Sequence, residues 1–238
     1  MSMDEIDKEL IDPAVEPDSE KAHRIARASL AAVPALGGTL VEAFNALIEP
    51  PMARRKTAWM VQVTEALNEL IQKGVLTEHD LQNNEKFFTT LVHASNVAIK
   101  NHEQEKLTAL RNSVINSALP DAPEDTLQQL FLNLIDTCTS WHLLLLRLFQ
   151  GPEQWAVKNN HQFPSWSMGG LAAVIESAYP QLQQHKDLYR LVWQELYRNG
   201  LVSTDGLGTT MTVGGMMAKR TTPIGDQFVT FISQPPGA

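Results

Sequence analysis

The sequence has few of the residues that build cross-linked or metal-binding sites. Cys138 is the single cysteine among 238 residues, which excludes an intramolecular disulfide and a cysteine-rich metal centre and favours a reducing compartment. The seven histidines include no His-x-x-x-His or His-Glu-x-x-His pair. The sequence therefore predicts no bound metal and no other cofactor.

Catalytic motifs are also absent. The sequence contains no Gly-x-Ser-x-Gly motif, no Walker A loop and no dinucleotide-binding Gly-x-Gly-x-x-Gly motif. The glycine-rich stretches at residues 169–171 and 206–215 match neither phosphate-binding pattern, so we interpret them as turns. His142 opens an apolar run with no second ligand in view, which predicts a core or capping histidine. We therefore expect a protein that is not an enzyme.

The chain also lacks an excess of positive charge. Its formal net charge of −8 argues against broad, non-specific affinity for nucleic acid or anionic lipid. Acidic residues, two prolines and few apolar anchors predict a disordered acidic arm over residues 1–17. Because the N-terminus has neither the basic nor the apolar region of a secretory signal, we expect a cytoplasmic protein, with peripheral contact at the inner membrane as the alternative.

Helical periodicity runs from Asp18 almost to residue 200, and it predicts a helical bundle body over residues 18–158. Pro50 and Pro51 predict the end of one helix. Residues 85–119 contain no glycine or proline, which predicts one long helix. The predicted buried stripes are Trp59, Val63, Leu67, Leu70 and Ile71 in the helix before Gly74, and Phe88, Leu91, Val92, Ser95, Ala98 and Ile99 in the long helix.

The pattern changes after a polar linker predicted at residues 159–165. Residues 166–238 indicate a helix, a second helix ending at Gly200, a short strand, a glycine-rich β-hairpin and a last helix. Thr222 is the predicted N-cap of that last helix, with Pro223 as its first residue. This order is typical of a winged helix. We therefore predict a mostly α protein, a helical bundle body followed by a C-terminal winged-helix-like α+β module.

The predicted module could bind either a protein or DNA. We favour protein contact. Across residues 180–238 the basic residues exceed the acidic ones by a net charge of only +1. A DNA-binding protein gains affinity by neutralising several phosphates, so this charge is small for that purpose. The candidate DNA-contacting residues are Lys186, Arg190, Arg198, Lys219 and Arg220.

A second candidate surface lies in residues 28–56, ASLAAVPALGGTLVEAFNALIEPPMARRK. Its strong apolar residues share one helix face, and the charged Glu42 in the middle disfavours a membrane-spanning helix. Three surfaces are candidates to cover this face: the predicted long helix 85–119 of the same chain, a second subunit, or lipid. The predicted protein or membrane contacts are Leu36, Leu40, Phe44, Leu47, Arg54 and Arg55.

Four segments together carry a family resemblance: GGTLVEAFNALIEPPMARRKTAW, NHEQEKLTALRNSVINSAL, LFLNLIDTCTSWHLLLLRLF and LYRNGLVS…KRTTPIGDQFVTFI. They resemble a group of uncharacterised bacterial helical proteins and are distantly similar to the abortive-infection alpha family. The resemblance spans most of residues 28–232, assigns no functional residue and implies a role in phage defence. We therefore expect a non-enzymatic interaction protein that acts through helix-mediated association, with itself or another protein, or through peripheral membrane contact. The alternative is a winged-helix DNA-binding transcriptional regulator.

Overall fold

The computed structural model describes the backbone of residues 37–235 and the side chains of residues 48–235. Within this range the chain is mostly helical, with one two-stranded sheet. The described residues form two compact units, residues 37–122 with Pro235, and residues 123–234. The acidic arm predicted at residues 1–17 lies outside the described residues. The described helices of the first unit are α1 (Gly37–Gln72), α2 (Glu78–Gln82), α3 (Glu85–Lys100) and α4 (Gln104–Ala118).

Helix α1 continues through Pro50 and Pro51, so the prediction that a helix ends there is wrong. Proline has a helical φ. Inside a helix it removes one hydrogen bond and crowds an earlier carbonyl, at a cost of roughly 3 kcal/mol, which packing elsewhere can offset. The apolar stripe that follows the two prolines supplies such packing, because all five of its members are buried, as predicted. They are Trp59, Val63, Leu67, Leu70 and Ile71.

The long helix predicted over residues 85–119 is divided into α3 and α4, so that prediction is also wrong. Asn101 ends α3 with an extended backbone, and its side-chain amide donates to the Val97 carbonyl at 2.7 Å. The side chain thereby replaces a backbone donor that would have continued the helix. At the other end, the Asn84 side chain donates to the Ser117 carbonyl at 3.5 Å. Helices α3 and α4 are therefore an antiparallel hairpin, and α1 packs against both.

Because α4 folds back onto α3, the buried face of α3 is shifted from the predicted stripe. Phe88 is 60% exposed and Val92 is 47% exposed, although both were predicted to be core residues. The residues of α3 that are buried are Phe87, Thr90, Ala94, Val97 and Ala98.

The second unit is built around α6 and α9, which pack against each other, while α11 packs on α6. Its largest fully buried side chains include Trp193, Tyr189, Phe131, Phe149, Phe228 and Phe231. The elements are α5 (Asp125–Thr137), α6 (Ser140–Gln150), α7 (Pro152–Lys158), β1 (Met168–Gly169), α8 (Leu171–Ala178), a 3-10 turn (Pro180–Leu182), α9 (Lys186–Arg198), β2 (Met211–Thr212), α10 (Val213–Met217) and α11 (Pro223–Phe231).

Residues 159–165, the predicted linker, lie within this second unit, and the division between the units falls earlier, after Ala122. Ring contacts join this segment to its flanks. The His161 ring centroid is 5.5 Å from that of Trp155 and 4.8 Å from that of Phe163. Phe163 in turn contacts Trp166, at 5.7 Å between centroids. Aromatic packing therefore orders a segment whose polar composition indicated a linker.

The short strand predicted after Gly200 is present only as a single antiparallel bridge between Val202 and Thr221, and the glycine-rich residues 206–215 do not pair with each other as a β-hairpin. The sheet consists of β1 paired antiparallel with β2, with Met168 opposite Thr212. The Thr212 hydroxyl accepts the Gly215 N–H at 3.3 Å and starts α10, whose Met216 is fully buried. The glycines after β2 are therefore part of a short helix and not of a β-turn.

The predicted helix ends of the module are confirmed. Gly200 has φ +69° after α9, a left-handed conformation that glycine adopts without strain. Thr222 is the N-cap of α11, where its hydroxyl accepts the Gly225 N–H at 3.0 Å, and Pro223 is the first helical residue.

Candidate interaction surfaces

Residues 48–58 of α1, the first of this helix whose side chains are described, are exposed apart from the half-buried Pro50 and Thr57. Ile48 is 37% exposed and Met52 is 45% exposed, and the first buried side chain of the described part of α1 is Trp59. Positions 40, 44, 48 and 52 are four residues apart, a spacing that turns by about 40° at each step, so these apolar positions follow an arc of about 120° around the helix. An apolar stripe therefore begins before the part of α1 that is packed in the core.

Two hydrogen bonds join α1 to the C-terminal half of α3. The Trp59 indole donates to the Ser95 hydroxyl at 2.9 Å, and Arg55 donates to the Ile99 carbonyl at 3.4 Å. Helices α1 and α3 are therefore antiparallel, and α3 ends one residue after Ile99. At 1.5 Å per residue, residues 37–54 continue past the end of α3 for about 27 Å. We call residues 37–54 the projecting half of α1.

The structure places most of the predicted contact residues on this projecting half. Arg54 is exposed, and Arg55, the next residue, is also exposed while it contacts the end of α3. Leu40, Phe44 and Leu47 belong to the same helix, of which only the backbone is described before Ile48. Leu36 lies outside the described residues.

The exposed apolar face of α3 is a surface that sequence reasoning missed. Phe88 and Val92 are four residues apart on one side of the helix. The half-buried Leu91, Ser95 and Ile99 border this side, where α1 already covers Ser95 through the hydrogen bond from Trp59. The sequence did contain the signal, since these residues form the stripe that we predicted, but periodicity does not distinguish a core face from a docking face.

Of the five candidate DNA-contacting residues, three form ion pairs inside the second unit. Lys186 Nζ lies 3.4 Å from Glu176 Oε1, and Arg198 Nη2 lies 3.8 Å from Glu195 Oε1. Lys219 pairs with Asp226. These carboxylates lower the positive charge that the residues offer to phosphates, so DNA binding gains no support and stays a prediction.

The other two candidates have different surroundings. Arg220 is turned inward, where its guanidinium donates to the Gly215 carbonyl at 2.5 Å and to Met211 Sδ at 3.3 Å. It therefore holds the short helix α10 in place. Arg190 is exposed on α9 and lines a shallow pocket with Gln194 and Asp205.

A polar cleft of about 500 Å³ in the second unit contains a buried histidine. His142 Nδ1 accepts the Thr139 N–H at 3.1 Å, which assigns the ring proton to Nε2, and Nε2 donates to Glu195 Oε2 at 2.8 Å. His142 is 4% exposed, so the prediction of a core or capping histidine is confirmed. Both ring nitrogens take part in joining the start of α6 to α9, which indicates a structural role.

Asp226 connects two further segments of the second unit. Burial, the largest single effect, raises the pKa of its carboxyl, but hydrogen bonds from Lys219 and from the Thr221 hydroxyl together lower it below the ordinary 3.8. A lowered folded-state pKa means that the ionised carboxylate stabilises the fold above the unfolded-state pKa. That contribution is lost as pH falls through the folded-state pKa.

We predict a pH-dependent stability difference between the wild type and Asp226→Asn. Urea unfolding should show the wild type as the more stable protein near neutral pH. The difference should shrink as pH falls from 3.8 through the lower folded-state pKa of Asp226, below which both proteins carry an uncharged side chain at this position. Asp205→Asn, which changes an exposed carboxyl, is the matched control, and its stability should equal that of the wild type at each pH. A pH-independent difference for Asp226→Asn would contradict the assignment.

Within the described part of the chain, no group of three or more His, Cys, Asp or Glu side chains could hold a metal ion. No helix in that part combines the length and the apolar character needed to cross a membrane. Comparison of the chain with protein-family models, with curated proteins and with solved structures gives no match.

Proposed function

We propose that this is a non-enzymatic interaction protein that acts through helix-mediated association, with the projecting half of α1 as its contact surface. One observation carries the proposal, the exposure of Ile48 and Met52 on a helix that continues past the end of α3. A helix in water gains most of its stability from packing an amphipathic face. An apolar stripe on the projecting half gains that stability when it packs against a partner.

The chemistry of the surface favours a protein partner over lipid. The stripe is followed by three consecutive exposed basic residues, Arg54 to Lys56, which suit either an acidic protein surface or anionic headgroups. Glu42 and Glu49 lie on the same helix, and the whole chain is acidic, both of which oppose binding to an anionic membrane. We propose that the association occurs in the cytoplasm and serves phage defence, as the resemblance of the quoted segments implies.

The proposal predicts that the double variant Ile48→Glu with Met52→Glu loses association. Size-exclusion chromatography with light scattering should give a mass of at least two chains for the wild type and of one chain for the variant. Charge on an apolar contact carries a desolvation cost that disfavours the complex. Both positions are exposed in the single chain, where surface substitutions usually change stability by only about 0.5 kcal/mol, so the fold should survive.

Ala53→Glu is the matched control, since this exposed residue lies about 100° around the helix from Met52 and should leave the mass unchanged. A wild type that stays monomeric up to high concentration, and that does not sediment with vesicles containing phosphatidylglycerol, would contradict the proposal. If the monomeric wild type sediments with the vesicles but the double variant does not, the surface binds membrane, and the proposal that its partner is a protein is wrong.

A further inference from the structure

We infer that Pro50 and Pro51 form a hinge in α1, at which residues 37–49 open and re-form as a unit while residues 55–72 stay packed. The structure shows the closed state of this hinge, in which α1 is one continuous helix. Three observations carry the inference: the hydrogen bonds that the prolines remove, the short length of the segment before them, and the exposure of the helix around them.

The first step concerns the backbone hydrogen bonds at the prolines. In an α-helix each N–H donates to the carbonyl four residues earlier, so four hydrogen bonds join residues 46–49 to residues 50–53. Two of these are impossible, because Pro50 and Pro51 have no N–H. The helical conformation is also disfavoured for a residue that precedes a proline, which applies to Glu49 and to Pro50 itself. The two parts of α1 are therefore joined here by half the usual number of backbone hydrogen bonds.

The second step concerns the stability of each part. The part after the prolines is anchored, since the Trp59 indole donates to the Ser95 hydroxyl and the stripe that begins with Trp59 is buried. The part before them consists of residues 37–49, and about 12–15 residues is the lower limit for a helix that is stable alone in water. It also begins with Gly37 and Gly38, which have low helix propensity. Its helical state is therefore marginal unless another surface packs on it.

The third step concerns the surroundings of the hinge. Residues 48–56 are exposed, apart from the half-buried Pro50. The hydrogen bonds that join α1 to α3 come from Arg55 and Trp59, which both lie after the prolines. The packed part of α1 therefore begins beyond the hinge.

The hinge lies inside the contact surface of the proposed function, because Ile48 precedes the prolines and Met52 follows them. A partner that packs on both residues bridges the hinge and binds the closed helix in preference to the open one. Association is therefore coupled to formation of the helix over residues 37–49. This last step rests on the proposed function, whereas the hinge itself does not.

Hydrogen exchange followed by mass spectrometry tests the hinge. The test uses the Ile48→Glu, Met52→Glu variant, in which the proposed contact is removed. The amides of residues 41–49 donate only within the segment before the prolines, so they exchange whenever that segment opens. Relative to their intrinsic rates, we expect them to exchange at least tenfold faster than the amides of residues 60–71.

Replacing both prolines with alanine should close the hinge. Pro50→Ala with Pro51→Ala, made in the same variant, restores both hydrogen bonds, and alanine favours a helix over proline by about a hundredfold. We expect exchange over residues 41–49 to slow at least tenfold. Lys56→Ala is the control, since this exposed position already has its N–H, and it should leave the exchange unchanged.

A distance measurement between spin labels supplies a second test. Labels at Asn45→Cys and Glu65→Cys, in the same variant with Cys138→Ser, lie on a helix whose backbone separates the two positions by about 30 Å when it is continuous. The protein with Pro50 and Pro51 should give a broad distribution that extends to shorter distances. The variant with both alanines should give one narrow peak.

Three results would count against these steps. Slow exchange over residues 41–49 in the Ile48→Glu, Met52→Glu variant, exchange that the two alanines leave unchanged, or the same narrow distance peak with and without the prolines would overturn the hinge. An associated wild type whose residues 41–49 exchange as fast as those of that variant would overturn the coupling to association. A wild type that stays monomeric refutes the proposed function, and the alanine comparison still decides whether the hinge exists.

Discussion

Replacing Gly225 with alanine is expected to lower the free energy of unfolding of the second unit by more than about 3 kcal/mol, the upper end of the range for overpacked sites. Gly225 is buried in the first turn of α11, and an added Cβ would lie 2.1 Å from the Leu201 carbonyl oxygen and 3.0 Å from its carbon. That oxygen accepts the Thr222 N–H at 3.0 Å, so moving it also weakens the start of α11. Urea unfolding followed by far-UV circular dichroism measures the loss.

Gly214→Ala is the control for this substitution. A Cβ at Gly214, in α10, meets no atom within 4 Å, and its φ is not positive. Alanine has a higher helix propensity than glycine, by about 1 kcal/mol, so this variant should be neutral or slightly more stable. If Gly225→Ala unfolded at the same urea concentration as Gly214→Ala, the close approach of α11 to Leu201 would be refuted.

Caps formed by a few neighbouring residues could be predicted from the sequence, as at Thr222 and Gly200. At the start of α2, the Thr77 hydroxyl accepts the Asp80 N–H at 3.2 Å, and Asp80 accepts the Thr77 N–H at 2.9 Å, which is a capping box with Asp in place of the usual Glu. Gly74 follows α1 with φ +70°. These features were predictable because each depends on a few neighbouring residues.

The continuity and the buried faces of the helices could not be predicted in the same way. A helix passes through Pro50 and Pro51 because tertiary packing of its later residues offsets the local cost. A helix ends at Asn101 because the chain reverses there and packs α4 onto α3. Both outcomes depend on contacts between residues far apart in sequence. Periodicity alone could not show which side of α3, the side of Phe87 or that of Phe88, faces the core.

The candidate surfaces show the same limit. The stripe on α1 was predicted, since it depends on spacing along one helix. The face of α3 was found as a stripe but was interpreted as core. The ion pairs of the predicted DNA-contacting residues were not foreseen, because Glu176 lies in a different helix from Lys186, and Asp226 lies in a different element from Lys219.

The other large effect is expected from Trp193→Ala. Trp193 is completely buried in α9, and its ring packs edge-on against Phe149, with 4.8 Å between the ring centroids. Its indole N–H also donates to the Thr204 carbonyl at 2.8 Å. Truncation removes the ring and leaves a cavity, at a cost of about 3–5 kcal/mol. It also deprives the Thr204 carbonyl of its donor, which adds about 1 kcal/mol or more where water does not reach that oxygen.

Two comparisons separate these contributions in urea unfolding. Trp193→Phe keeps a ring against Phe149 but removes the donor to the Thr204 carbonyl. Its loss in free energy of unfolding should therefore be measurable but clearly smaller than that of Trp193→Ala. Tyr197→Ala removes an exposed aromatic ring from the same helix and should change stability by only about 0.5 kcal/mol. Equal losses for Trp193→Ala and Tyr197→Ala would mean that α9 does not bury the Trp193 ring in the core. A large loss for Trp193→Ala alone means that the core of the second unit depends on the side of α9 that carries Trp193.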